Sequence, residues 1–211
     1  MASELAFLER GLLIGLAIAA PVGPMALLCI RRTLERGWPS GFASGLGIAT
    51  ADGLYAAVAA FGLTAVSGLL LREARWVQLA GGIAIVGLGL QSVLRAGAAA
   101  GAAEKSRPIP AGLAGAYASC LALTLANPPT ILSFVAIMAG FGIGTDAGGR
   151  PAALGVLGVL LGSAAWWAAL TGLIARARAR IGRRARAWIT RLAGLLLVAL
   201  GAVSLLAAFR Q

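Results

Sequence analysis

Of the seven carboxylates in this 211-residue chain, Glu4, Glu9, Glu35, Glu73, Glu104 and Asp146 fall in polar connections or at the ends of apolar stretches. Asp52 falls in the middle of one, Gly41 to Leu63. A charge at the centre of a bilayer costs roughly 2.5 to 3.5 kcal/mol on insertion scales, so an acid placed there faces other helices or a wet cavity. No His, Lys or Arg is expected at its depth, which leaves two kinds of chemistry. Asp52 holds a cationic group of a ligand as a carboxylate, or it takes up and releases a proton. A third reading keeps it protonated and bonded to a neighbouring helix through Thr50, Tyr55 or Asn127, with no transport duty.

Two proline motifs supply a second kind of chemistry, exposed backbone. The sequence reads APVGP from Ala20 to Pro24 and ANPPT from Ala126 to Thr130, each inside an apolar stretch. A proline in a helix lacks the N–H that bonds the carbonyl four residues earlier. Pro21 and Pro24 would thus free the carbonyls of Ala17 and Ala20, and Pro128 and Pro129 those of Thr124 and Leu125. Near mid-span these groups find water only if a cavity reaches them. The half-helices that resume after the breaks, beyond Gly23 and beyond Asn127, point positive dipole ends inward, suited to a carboxylate, while freed carbonyls suit an ammonium. A zwitterion satisfies both. A single proline kink would need no more than packing to explain it, but two breaks at matching positions point to a site. The amide of Asn127 caps the following half-helix or touches ligand.

These residues need a membrane-spanning frame, and the composition provides it. The chain is 60% hydrophobic, 12% charged, contains 30 glycines and has a mean hydropathy of +0.91. About 20 apolar residues of helix cross a bilayer. Six stretches qualify: Leu5 to Ile30, Gly41 to Leu63, Trp76 to Leu94, Leu113 to Phe141, Ala152 to Ile174 and Trp188 to Phe209. Ala17-Ile18-Ala19 resembles a signal-peptide cleavage site, but the leader would carry Glu4 and Glu9 in place of a basic region, so the first stretch is expected to stay.

The formal net charge is +11, and the run RARARIGRRARAW from Arg176 to Trp188 could suggest nucleic acid. Its placement indicates a topogenic loop instead. Arg31, Arg32, Arg36, Arg95, Lys105, Arg107, Arg176, Arg178, Arg180, Arg183, Arg184, Arg186 and Arg191 sort to one side of the bilayer, while Arg10, Arg72, Arg75, Arg150 and Arg210 sort to the other. This positive-inside pattern places both termini outside the cytoplasm and sets the Arg176 to Arg191 loop against anionic lipid, with no nucleic acid as partner.

A weak internal repeat organises the spans. At a displacement of 112, Trp76, Gly82, Val86, Gly89 and Ser92 fall on Trp188, Gly194, Val198, Gly201 and Ser204. At 111, Gly47 falls on Gly158, Asp52 on Ser163 and Tyr55 on Trp166; at 107, Pro21 falls on Pro128. Three spans per copy force the second copy to enter the membrane inverted, the plan of many secondary transporters. Small residues four apart, Gly41 with Gly45 and Gly158 with Gly162, permit close helix packing and a homodimer without requiring either.

The stretches PVGPMALLCIRRTLERGWPSGFASGLGIATADGLYAAVAAFGL and LTLANPPTILSFVAI resemble the two signature regions of the lysine exporter (LysE/RhtB) family of amino-acid exporters. The resemblance covers nearly the whole chain and is most specific at Pro21 to Pro24, Gly41 to Asp52 and Asn127 to Pro128. It implies a six-helix inner-membrane protein that exports amino acids or related small metabolites on the membrane's ion gradient, with Asp52 matching the family's acid and Asn127-Pro128 its Asn-Pro. Two positions depart: Pro129 stands where many members have lysine, and Ala51 where many have glycine.

The expectation is therefore an all-α polytopic membrane protein of six transmembrane helices in two inverted repeats, the first and fourth helices broken at their proline motifs. Residues 1–95 form the first repeat, 96–112 a cytoplasmic linker and 113–211 the second. It would be a secondary-active exporter, not an enzyme, without cofactor or metal and coupled to protons, with Asp52, Pro21, Gly23, Pro24, Asn127, Pro128, Tyr55 and Ser163 at its site. Two other functions compete. Cys29 and Cys120, in the first and fourth spans, could pass electrons as a thiol-disulfide relay, as in related inverted-repeat proteins. A metal-ion exporter is the other, though one intramembrane acid and no histidine make a poor cation cage.

Overall fold

The computed structural model describes residues 2–21, 23–61, 112–126, 149–178, 180 and 182–209, together with isolated positions at 76, 79, 83, 86, 87, 90 and 134. Among them there is helix and no strand. The helices are α1 (Ala2–Ala19), α2 (Pro24–Arg36), α3 (Trp38–Ala60), α4 (Leu113–Leu125), α5 (Gly149–Arg178) and α6 (Arg183–Phe209). α3 and α5 are each long and apolar enough to cross a bilayer, and α1 with α2 would make a third crossing if taken as one bent span. α4 is a shorter apolar helix.

The polarity of the structure is inverted relative to a water-soluble domain. Leu13, Leu173, Leu192, Leu195 and Leu206 are exposed, as are Trp76, Ile83 and Leu90. Ser44, Asp52, Ser163 and Thr171 are buried. A large contiguous apolar surface needs an apolar solvent, and this chain is a membrane protein. Where hydroxyls lie inside, many bond their own helix four residues back: Thr33 to the Cys29 carbonyl, Ser44 to Ser40, Thr124 to Cys120 and Thr171 to Trp167. That local bond satisfies the hydroxyl proton where water is absent.

Helix α1 stops at Ala19 and α2 begins at Pro24, the two axes differing by 81°. Pro24 suits a first helical turn, where its missing N–H has no partner to lose. Gly23 before it is extended (φ −110°, ψ −170°), and its carbonyl accepts from the Leu27 N–H at 3.2 Å. α2 and α3 are joined by Gly37 alone, whose φ of 90° lies where a side chain would be strained. This turn folds α2 back along α3.

Helix α3 is the centre of the packing, in contact with α2, α4 and α5, while α1 lies along α5. Gly47 and Gly158 make two of these approaches possible. A Cβ on Gly47 would run into the carbonyl of Tyr117 on α4, and one on Gly158 into the carbonyl of Leu8 on α1. Gly41 and Gly45 are buried against Thr33 and Trp167, and Gly162 against Leu12. The small-residue faces that permitted a homodimer are thus occupied inside the chain.

The charges depart from the sequence-based placement in two respects. The basic run is mostly helix, because Arg and Ala are strong helix formers: α5 continues through Arg178 and α6 starts at Arg183. Arg31 and Arg32 lie within α2, not in a loop, and Arg31 is buried and paired with Glu35 at 2.8 Å. Two other contacts group the helix ends. Arg150 Nε approaches Glu4 Oε1 at 3.7 Å, and Arg178 Nη2 donates to the Glu35 carbonyl at 3.3 Å. The start of α5 therefore meets the start of α1, and its end meets the α2–α3 turn. The stretches 91–111 and 135–148, most of the third apolar stretch and the second half of the fourth lie outside the described residues.

Candidate functional site

Asp52 sits on the α3 face that packs on α5, 3% exposed. Ser163 of α5, itself fully buried, donates its hydroxyl to Asp52 Oδ2 at 2.7 Å. Thr50 is engaged elsewhere, donating to the Leu46 carbonyl and accepting from the Tyr117 hydroxyl at 3.0 Å. Asp52 thus has a neutral hydroxyl as its hydrogen-bond partner, and no ion pair to it occurs among the described residues.

An apolar cluster lies on each side of this pair. One holds Cys29, Ile48, Ala49, Cys120, Leu123 and Trp167; the other holds Ile14, Tyr55, Ala56, Phe134, Ala152 and Val159. Along α3 the order is Ile48, Asp52, Ala56, and along α5 it is Val159, Ser163, Trp167, so the two helices pass the clusters in opposite directions. An acid enclosed this way is closed to bulk water from both sides, which strengthens every electrostatic contact it makes.

Tyr55, one turn beyond Asp52, reaches across to α4. Its hydroxyl lies 3.2 Å from the Thr124 carbonyl and 3.1 Å from that of Leu125, both as acceptors. These are the two carbonyls that Pro128 and Pro129 were expected to free, and α4 ends at Leu125 with a turn at Ala126. The Tyr55 ring also packs on Phe134, 5.8 Å between centroids.

The structure therefore brings Asp52 and Ser163 together at the α3–α5 contact, with Tyr55 one turn along α3 and bonded to α4. Pro24 and Gly23 stand at the start of α2, and Pro21 precedes them in the same break, with Val22 outside the described residues. Asn127, Pro128 and Pro129 also lie outside them. Cys29 and Cys120 fall in one apolar cluster, both free and fully buried. Their unequal spacing from the two prolines gave little sign of this meeting. Arg32, Ser44, Ser119 and Trp167 were not among the sequence candidates. Arg32 bonds Ser44, Ser119 and the Ala116 carbonyl, tying α2 to α3 and α4, and nothing short of the tertiary fold announces that. No group of three or more His, Cys, Asp or Glu gathers among the described residues.

The family model described as LysE type translocator matches residues 16–208. Comparisons with curated proteins and with solved structures returned no match.

Proposed function

The chain belongs to the LysE type translocator family, and on that premise we propose that it is a secondary-active exporter of amino acids or related small metabolites. Its solute site lies beside Asp52, between two inverted three-helix halves, residues 1–95 and 113–211, linked by 96–112.

The observation that carries this reading is the Ser163–Asp52 hydrogen bond between positions 111 apart in sequence. The repeat makes these positions equivalent. When equivalent positions of two halves touch, a two-fold relating the halves passes between them, and an axis in the membrane plane sets that contact near mid-depth. Other pairs agree with it. The same displacement carries Ile48 of one apolar cluster onto Val159 of the other, and Ala56 onto Trp167. Gly47 packs on α4 as Gly158 packs on α1, each half's second helix against the first helix of the other half.

A polar centre between two apolar plugs suits alternating access, in which one plug parts while the other stays closed. The Asp52 carboxylate supplies the negative charge at this centre. In one arm of the cycle that charge is balanced by the ammonium of the solute or by a proton, and its exchange between the two sides couples solute movement to the ion gradient. The broken first helix, read as one span bent between Ala19 and Pro24, and the matching break at Asn127-Pro128 would line the same centre with helix ends. The charge sorting places both termini outside the cytoplasm of the inner membrane and the Arg176 to Arg191 segment on the cytoplasmic face, against anionic lipid. Cys29 and Cys120 are accounted for as two small residues filling one buried cluster. Both are wholly enclosed, so a partner of protein size has no direct contact with either thiol.

The test is uptake of labelled amino acids into inside-out vesicles under an imposed proton gradient. Uptake of one class that collapses with the gradient is expected. Absence of uptake for every amino acid would overturn the substrate class.

A further inference from the structure

Arg32 is a charged residue that the site around Asp52 leaves unexplained. Its Nη1 donates to Ser44 Oγ at 2.8 Å, to the Ala116 carbonyl at 2.9 Å and to Cys120 Sγ at 3.4 Å, and its Nη2 donates to Ser119 Oγ at 2.9 Å. None of these acceptors is a carboxylate. Two of them are oriented in advance, since the Ser44 hydroxyl proton goes to the Ser40 carbonyl and that of Ser119 to the Ala116 carbonyl, which turns their lone pairs to the guanidinium. Three helices therefore hold the guanidinium plane in place with no carboxylate beside it among the described residues. Neighbouring Arg31, by contrast, has the Glu35 carboxylate. Of the five guanidinium protons, Nε–H and one on Nη2 make none of the hydrogen bonds among the described residues, and a pair of such donors fits a carboxylate bidentately.

A second observation points the same way. Trp167 is 2% exposed, and its Nε1–H has no acceptor among the described residues; Nε1 of Trp166 is likewise buried and unmatched. A buried donor left without an acceptor is unfavourable and calls for one. Trp167 belongs to the cluster that contains Cys120, the residue Arg32 touches. Ser44, the other contact of Arg32, stands eight residues before Asp52 on α3, about 12 Å along the helix. One side of Asp52 thus presents a fixed cation and an indole N–H, neither with a carboxylate partner among the described residues.

We infer that Arg32, assisted by the Nε1–H of Trp167, receives a carboxylate group of the transported solute on its way to Asp52, an inference that rests on the exporter reading. A lipid headgroup would offer the same anionic oxygens, but Ser44 and Cys120 are fully enclosed, which suits a small solute.

The test uses the full chain, as wild type, Arg32→Gln, Arg32→Lys and Trp167→Phe, in nanodiscs of phosphatidylcholine alone. Melting temperature is titrated with a panel of amino acids and with the matching amino-acid amides, which lack the carboxylate. For at least one amino acid the wild type binds the acid about ten-fold or more tightly than its amide, the size expected of a charge-assisted hydrogen-bonded pair. Arg32→Gln erases that preference, Arg32→Lys keeps part of it, and Trp167→Phe weakens the acid more than the amide. A folding defect would weaken both ligands, so the ratio is the readout. A wild type that does not prefer acids, or an Arg32→Gln protein that still does, overturns the proposal. So does a melting shift that appears only when phosphatidylglycerol is added. Inside-out vesicles separate this result from the exporter reading: acid-selective binding without transport removes the exporter and leaves the site, and transport without acid preference does the reverse.

Discussion

Ser163 Oγ donates a 2.7 Å hydrogen bond to Asp52 Oδ2 across the α3–α5 contact. The carboxylate has no other hydrogen bond among the described residues, so Ser163→Ala would leave a buried charged group short of its donor. A loss of about 1–3 kcal/mol in stability is expected, seen as a lower melting temperature in lipid or mild detergent. An unchanged melting temperature would show that Asp52 does not depend on this hydroxyl.

Tyr55→Phe keeps the ring on Phe134 and removes the hydroxyl from the carbonyls of Thr124 and Leu125. Those acceptors end α4 inside the protein, so destabilisation by about 1–3 kcal/mol is expected, with faster hydrogen exchange at the end of α4. Exchange that stays at the wild-type rate would argue against the contact.

Gly158→Val is expected to disrupt folding, since its Cβ would enter the carbonyl of Leu8, whereas a Cβ at Gly149, at the start of the same helix, meets nothing within 4 Å among the described residues, so Gly149→Val is expected to be tolerated. Overpacking costs about 1–3 kcal/mol, and more where backbone is the obstacle. The yield of monodisperse protein distinguishes the two variants. Equal yields would contradict the close crossing of α1 and α5.

Cys29 of α2 and Cys120 of α4 belong to one buried cluster. The membrane-permeant oxidant diamide is expected to yield an intramolecular disulfide between them, identified as a linked peptide pair by mass spectrometry and absent in Cys29→Ser. Two persistently free thiols in the oxidised, folded protein would contradict that packing.

Much of this arrangement was legible in the sequence, for identifiable reasons. Asp52 stood out because a carboxylate mid-span is costly, and Ser163 was found because the repeat register of 111 links the two positions. The carbonyls of Thr124 and Leu125 followed from proline chemistry, but their donor did not, since Tyr55 reaches them only through the packing of α3 on α4. Arg32 was counted among the charges that set topology. Counting along the chain does not see the single-residue turn at Gly37, which folds α2 back so that Arg32 meets Ser44. The Arg176 to Arg191 segment was expected to be a loop because charge was weighed there and helix propensity was not. The glycine faces were legible as surfaces for close helix packing or for a dimer, and the fold uses them within the chain.

The most direct test of the central claim compares wild type with Asp52→Asn, which keeps the shape and a hydrogen-bond acceptor for Ser163 while removing the charge. Both proteins are assayed in inside-out vesicles for gradient-driven uptake of the amino acid the wild type takes up, and for its counterflow exchange without a gradient. Asp52→Asn is predicted to lose gradient-driven uptake; retained counterflow would identify Asp52 as the proton carrier, and lost counterflow as the group that holds the solute. Gradient-driven uptake at the wild-type rate in Asp52→Asn would contradict the account.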